Sequence, residues 1–246
     1  MKLEIGYSHD FEIRKEVYYT QATSNFSILF LSDLHLNGFS SKLISDLKNS
    51  IEALNPTIIL LGGDYIDTKK GFGFFREFLF FLSKRKNIYA IAGNHDNFYG
   101  INKIKDIVIN HKIIWLDKTE AQLYLGNFSI QISNNNLTIG DKNVDFKILL
   151  QHNPASIDKA NDKFNLAFAG HLHGCQFVFW HNEKGLFPGR FFYKWNRLKA
   201  QIDNTLYLIS KGLGDTLPMR YNCKKDIVFV EVLEQQNDDD NLIKNI

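Results

Sequence analysis

Thr57-Ile58-Ile59-Leu60-Leu61-Gly62-Gly63-Asp64 is a short apolar run closed by two glycines and a carboxylate. Asn55-Pro56 bounds it on the other side. An unbroken apolar run of this length, fenced by turn residues, reads as a strand buried on both faces. Phe26 to Leu31 repeats the pattern and ends at Ser32-Asp33. Ile88 to Ala92 repeats it again and ends at Gly93-Asn94-His95-Asp96. Between these runs, Ser41 to Leu54 places Leu43, Ile44, Leu47, Ile51 and Leu54 on one helical face, and Asn55-Pro56 stops that helix. Phe74 to Lys84 reads as a second helix. Strands alternating with helices imply parallel strands joined by crossovers.

The second half changes character. Lys112 to Leu116, Ala121 to Leu125 and Phe128 to Ile132 read as short strands separated by turns. Lys147 to Leu150 runs into Gln151-His152-Asn153-Pro154, and Leu166 to Ala169 into Gly170-His171-Leu172-His173. Thr205 to Ser210 and Ile227 to Leu233 are further strands. The expectation is one α/β domain over residues 1–246, built of two packed mixed sheets with helices outside. Its core would span about 26–233, with a frayed polar tail over 234–246.

Composition narrows the function classes. The chain has 246 residues, enough for one large core. Lys and Arg total 29 and Asp and Glu 27, so the net charge is only +2. That balance argues against nucleic acid as the main partner. Nothing points to an obligate protein partner. Cys175 and Cys223 are the only cysteines and read as reduced thiols. Met1 to Arg14 mixes charges with isolated apolar residues, unlike a signal peptide. No stretch reaches the roughly 18 apolar residues of a membrane span. The expected location is the cytoplasm, or the inner face of the cytoplasmic membrane.

Polar clusters stand at strand exit after strand exit, where open α/β sheets bind ligands. They are Asp33 and His35; Asp64; Asn94, His95 and Asp96; His152; and His171 and His173. Five of the eight histidines fall here. A lone histidine after a strand is usually structural, but five such clusters are hard to explain as capping. Mixed imidazole and carboxylate ligands suit a pair of divalent ions: manganese first, with iron or zinc as alternatives. Asp-x-His and His-x-His place residues i and i+2 on one side of an extended segment. Gly93 and Gly170 let the backbone come close.

Asp33-x-His35, Gly63-Asp64, Gly93-Asn94-His95-Asp96, His152 and Gly170-His171-x-His173 together resemble the calcineurin-like metallophosphoesterase family, over residues 26 to about 215. The resemblance implies a β-sandwich of two mixed sheets flanked by helices, carrying two metals. It implies that Asp33, His35 and His173 hold one metal, that Asn94, His152 and His171 hold the other, and that Asp64 bridges them. His95 would be the general acid or leaving-group stabiliser. Asp96 would orient it, or else serve as a loop or helix cap.

Two further stretches resemble a bacterial branch of membrane-associated phosphodiesterases, whose usual patterns are AGHxHGGQ and SRGLG. Here they read Ala169-Gly170-His171-Leu172-His173-Gly174-Cys175-Gln176 and Ser210-Lys211-Gly212-Leu213-Gly214, so Cys175 replaces a glycine and Lys211 an arginine. Leu217-Pro218-Met219-Arg220 adds to the likeness and makes Arg220 either a phosphate contact or a surface arginine. The branch includes pyrophosphatases that cleave UDP-diacylglucosamine in lipid A synthesis. Such a resemblance implies a lipid-linked diphosphate substrate and an anionic membrane surface as partner. A soluble nucleotide or cyclic-nucleotide phosphodiesterase, and a non-catalytic scaffold, are the alternatives.

Aromatic residues bear on that choice. Phe72, Phe74, Phe75, Phe78, Phe80 and Phe81 crowd one helix, which reads as buried or lipid-facing. Phe187 to Trp195 interleaves aromatics with cations. Phe191, Phe192 and Trp195 are there candidate acyl-chain or membrane contacts, and an ordinary hairpin is the plainer reading.

Overall fold

The computed structural model describes residues 2–6, 10–21, 24–134, 144–159 and 164–235. Most of the expected polar tail lies outside them. In chain order the first strands are β1 (Leu3–Ile5), β2 (Phe11–Thr20) and β3 (Phe26–Leu31). Helix α1 (Ser41–Leu54), β4 (Ile58–Leu61), α2 (Gly71–Leu82), β5 (Ile88–Ala90), α3 (Ile101–Asn110) and β6 (Ile114–Trp115) follow. The second half holds β7 (Glu120–Leu125), β8 (Phe128–Ser133), β9 (Phe146–Leu150), β10 (Leu166–Ala169), β11 (Val178–Asn182), β12 (Gly185–Pro188), β13 (Lys199–Ile202), β14 (Thr205–Ile209), β15 (Met219–Tyr221) and β16 (Lys225–Glu234).

Two six-stranded mixed sheets dominate. One runs β2-β16-β3-β4-β5-β6 and the other β13-β14-β10-β9-β8-β7. The pairs β3–β4, β4–β5 and β5–β6 are parallel, as the strand–helix alternation requires. The sheets face each other across an apolar layer. Ile28, Phe30, Leu60 and Val230 meet Ile132, Phe146, Phe168 and Leu208 there, and the rings of Phe30 and Phe168 lie 5.3 Å apart. Strands buried on both faces are why the sequence runs continuously apolar rather than alternating.

The helices cover only one side. Buried residues of α1, α2 and α3, among them Leu47, Phe78 and Ile104, pack on Leu29, Leu31, Ile59 and Leu61 of the first sheet. On the outer face of the second sheet Ile157, Phe164 and Trp195 pack against Leu149, Ala167 and Tyr207.

Two sequence expectations shift, and one open alternative is decided. Helix α2 starts at Gly71 rather than Phe74, because Phe72 and Phe75 are already buried in the helix–sheet layer. Its aromatic crowding is mainly core: Phe72, Phe75 and Phe78 are buried, while Phe80 is exposed. The segment ahead of residue 26, outside the expected core, forms the long edge strand β2, paired in parallel with β16 from Phe11–Lys225 to Thr20–Glu234. Its charges hide a half-buried alternation.

Phe75 joins the fold to the site, since it stacks on Tyr65 at 4.9 Å. The Tyr65 hydroxyl in turn donates to the Ile91 carbonyl at 2.7 Å. Replacing Phe75 with Ala should cost about 3–5 kcal/mol. Urea denaturation of the two proteins measures this, and a loss below about 1 kcal/mol would contradict the packing described.

Candidate metal centre

The ligand-type residues sit just beyond β3, β4, β5, β9 and β10, so five strand ends supply one cluster. Asp33, His35 and His173 bring ligand atoms within 4.8 Å of one another, as do Asp64, His152 and His171. The two groups adjoin through Asp64. Its Oδ2 lies 3.2 Å from His152 Nε2 and 3.8 Å from His35 Nε2. Asn94 Oδ1 lies 2.8 Å from His152 Nε2, and His171 Nδ1 lies 3.2 Å from that same nitrogen. His173 Nε2 stands 3.6 Å from Asp33 Oδ1.

Three imidazoles share one arrangement. His35 Nδ1 contacts Asp67 at 2.6 Å, His152 Nδ1 the Gly62 carbonyl at 2.8 Å, and His173 Nδ1 the Gly214 carbonyl at 3.2 Å. Each outer acceptor fixes the ring and turns Nε2 inward, as the supporting partners of metal-ligating histidines do. His35 Nε2 is buried and makes no hydrogen bond. An orphaned inward-facing nitrogen among buried carboxylates is the donor set a divalent cation would complete. The residues present therefore fit two metal ions.

Charge supports the same conclusion. Burial opposes the protonated form of His152, but its bond to Asp64 and the nearby Asp33 outweigh this and push its pKa up to about 9. His35 is also raised: burial is overcome by Asp67, Asp33 and Asp64. His173 is held well below the ordinary imidazole value by burial, then by the charges of His35 and Arg220. Burial and the charge on His152 lower His171. Protons thus collect on His35 and His152, beside Asp64.

The backbone places these groups in an unexpected way. Asp33, His35, Asp64, His171 and His173 all have positive φ, between 44° and 72°. The Asp-x-His and His-x-His pairs are therefore kinked rather than extended, so alternation along a strand is not what aims them. A left-handed conformation costs a non-glycine residue of order 1 kcal/mol. The close approach expected of Gly93 and Gly170 is real. A Cβ on Gly93 would meet Asp64 Oδ1 at 2.1 Å, and one on Gly170 would meet Asp33 Oδ2 at 2.2 Å.

For Asp96 the geometry fits the loop-cap alternative rather than support of the His95 ring. Its buried carboxylate accepts from the backbone N–H groups of Gly93 at 2.7 Å, Tyr65 at 2.9 Å and Asp64 at 3.0 Å. It clasps two strand-exit loops together and does not orient the His95 ring. Burial pushes its pKa up to about 6, against the pull of the Gly93 and Tyr65 N–H groups. The carboxylate beside the His95 ring is Asp67, 3.7 Å from Nδ1. Asp67 was missed because it sits three residues past Asp64 in what reads as an ordinary polar loop. The half-exposed His95 ring packs edge-on against His35 and Phe98, while its backbone N–H donates to Asp64 Oδ1 at 2.7 Å.

Arg220 is neither a surface residue nor placed to reach a phosphate. It is buried and ion-paired with Asp215 at 2.6 Å. It also donates to the carbonyls of Gly214, Lys211 and Cys223, so its donors are committed to bracing the loop behind His173. Trp195 is likewise 4% exposed and packs on Tyr207 at 5.2 Å, whereas Phe191 and Phe192 are 69% and 80% exposed. Cys175 and Cys223 are free thiols.

Carboxylates and imidazoles arranged as two adjoining ligand-type groups, with the Asn94 amide beside them, make a candidate dinuclear metal centre. The chain belongs to the calcineurin-like phosphoesterase family, whose family model matches residues 26–175. It is a metal-dependent hydrolase, and the family uses a dinuclear divalent site. The chain is 28% identical to Phosphodiesterase YaeI of Escherichia coli K12 over 239 residues, covering 88% of this chain and 85% of that protein. It is 25% identical to the uncharacterized metallophosphoesterase YkoQ of Bacillus subtilis, over 86% of this chain and 85% of the relative. Its fold is like that of the NAD nucleotidase NadN of Haemophilus influenzae, with a TM-score of 0.51 at 14% identity. That match covers 78% of this chain but 46% of NadN, so the chain spans about half that protein's length.

Metal binding must displace a proton from His152, whose pKa of about 9 leaves it protonated at pH 7, so affinity should fall as pH falls below about 9. The upward shift of His35 acts in the same direction. Calorimetry of manganese binding at pH 7, in buffers of differing ionisation enthalpy, should show net proton release, about one per chain from His152 alone. Zero net release would contradict this charge arrangement.

Proposed function

We propose that this chain hydrolyses a phosphodiester or diphosphate with an amphiphilic organic part: a lipid-linked diphosphate such as UDP-diacylglucosamine, met at an anionic membrane face. The observation that carries the reading is the surface next to His171. A cleft there is lined by Pro154, Leu172, Phe192, Tyr193 and Trp195. Beyond it Trp180, Phe187 and Phe191 form a ring cluster with centroids 5.0–6.2 Å apart. Phe179, Trp180, Phe191, Phe192 and Tyr193 are all exposed. Residues 177–202 carry Lys184, Arg190, Lys194, Arg197 and Lys199 against one acidic residue, Glu183. Exposed aromatics among cations suit a membrane interface bearing anionic lipid. Among the described residues no helix is long and apolar enough to cross a membrane.

In this reading Asp33, His35 and His173 would hold one metal ion and Asn94, His152 and His171 the other, with Asp64 between the two sets. Bound there, the ions would supply neutralisation of the phosphoryl oxygens and activation of a water. Asp67 and Gly214 hold the His35 and His173 rings, so the ligands are aimed before substrate arrives. His95, half-exposed and outside the two ligand sets, donates a proton to the departing oxygen. Asp67 Oδ1 stands 3.7 Å from its Nδ1, on the side of the ring away from the substrate in this reading. Water adds to phosphorus, the ester oxygen leaves with that proton, and a phosphomonoester and an alcohol result; from a diphosphate, two monophosphates result.

A soluble nucleotide phosphodiesterase is the second reading, favoured by the similarity to a protein named a phosphodiesterase. The discriminating experiment compares UDP-diacylglucosamine with unacylated UDP-glucosamine in the manganese-loaded protein. A strong acyl preference, reduced by Phe191→Ser with Phe192→Ser, supports the lipid reading, because the apolar surface contributes about 0.8 kcal/mol per buried methylene. Equal kcat/KM for the two substrates sinks it.

The role of His95 has its own test. His95→Ala should lower kcat by about 10²–10⁴-fold, as for a lost general acid, with both metals retained by elemental analysis. Loss of metal would make His95 a ligand instead.

A further inference from the structure

Two clefts meet at one histidine. The first, of about 330 Å³, has Pro154, Phe192 and Trp195 in its wall. The second, of about 310 Å³, has His173, Gln176, Thr216 and Leu217. His171, Leu172 and Tyr193 belong to both walls. Leu172 and Tyr193 therefore form a ridge between the clefts, and His171 stands where they meet.

The walls differ in chemistry and both are braced. The first is mainly apolar, on a floor set by Trp195 packed against Tyr207. The second is mixed. The Gln176 amide donates to the carbonyls of Leu217 and Met219 and accepts from the N–H groups of Thr216 and Leu217. That holds residues 216–219 as a fixed wall and leaves the Thr216 side chain on the cleft surface. Preformed walls lower the entropy cost of binding.

A phosphomonoester carries one organic arm and needs one cleft. A phosphodiester or diphosphate carries two, which leave the phosphoryl centre in different directions. Two unlike clefts that share a ligand-type histidine but otherwise have different walls match the second case. We propose that these clefts are separate subsites for the two organic arms of the substrate. The apolar arm lies along Phe192, the polar arm along Thr216, and Tyr193 is the specificity-determining ridge that sorts them. The assignment rests on the phosphodiesterase reading above and deepens it.

The test uses manganese-loaded protein and three esters with one leaving group: bis(p-nitrophenyl) phosphate, ethyl p-nitrophenyl phosphate and p-nitrophenyl phosphate. Wild-type protein should favour both diesters over the monoester. Tyr193→Ala should lower the bis-to-ethyl ratio of kcat/KM by about five- to tenfold, the worth of one aromatic contact, mostly through KM. Tyr193→Phe should keep the ratio within about twofold, since the ring makes the ridge. Comparing ratios between proteins cancels the intrinsic reactivities of the esters. Tyr193 is exposed, so both variants should fold, and their melting curves check this. Diester turnover with an unmoved ratio in Tyr193→Ala overturns the subsites and leaves the phosphodiesterase reading standing. Failure to turn over any of the three esters overturns that reading, and the subsites with it.

Discussion

Asp33 and Asp64 are buried carboxylates facing one small volume, and most of the site follows from that. Taking two like charges out of water is unfavourable unless cations and donors surround them. Both oxygens of Asp33 accept the His171 N–H, at 3.0 and 3.1 Å. Asp64 takes the His95 N–H through one oxygen and turns the other toward His35 and His152. What these contacts leave uncompensated is negative charge at the focus of five strand ends. A pair of divalent cations answers that need, and the raised His35 and His152 titrations are its protonic counterpart.

The loops that hold the carboxylates are strained, and the strain has an identifiable counterweight. Left-handed backbone at five ligand-type residues is unfavourable, so something must over-determine it. The Asp96 carboxylate, held by three N–H groups, fastens the loop after β5 to the loop after β4. The Tyr65 hydroxyl ties the same loop to Ile91 and Leu61, and Phe75 of α2 supports its ring. Arg220 does the equivalent on the far side through the carbonyls of Lys211 and Gly214. Rigidity at the centre is thus borrowed from core packing and from buried groups that need not touch substrate.

Much of this was legible in sequence, for a physical reason. A strand buried on both faces must be continuously apolar, so β3, β4, β5 and β10 announce themselves, and the polar residues that follow each stand out by contrast. What stayed hidden depends on pairing across long sequence distance. The charges of β2 look like surface until β16 is placed beside them. Asp67 and Asp96 are both acidic residues in loops after strands; only three-dimensional geometry shows that Asp67 faces His95 while Asp96 turns to the backbone. Trp195 and Phe192 are three residues apart in one aromatic run, yet one is core and the other surface. Nor could composition show that Arg220 would spend its donors indoors.

The position of β16 carries a consequence for how the chain is made. It lies between β2 and β3, antiparallel to β3 and parallel to β2 along ten registered pairs. The first sheet is therefore limited to β3–β6, with β2 detached from it, until nearly the last described residues have been synthesised. Strands β3 to β6 can assemble with α1 to α3 as the chain emerges, since their contacts are local. Strand β2 must wait unpaired until Lys225–Glu234 has emerged. Late closure by a C-terminal strand is slow because its partners are distant in sequence, and the open edge meanwhile is a natural substrate for holdase chaperones.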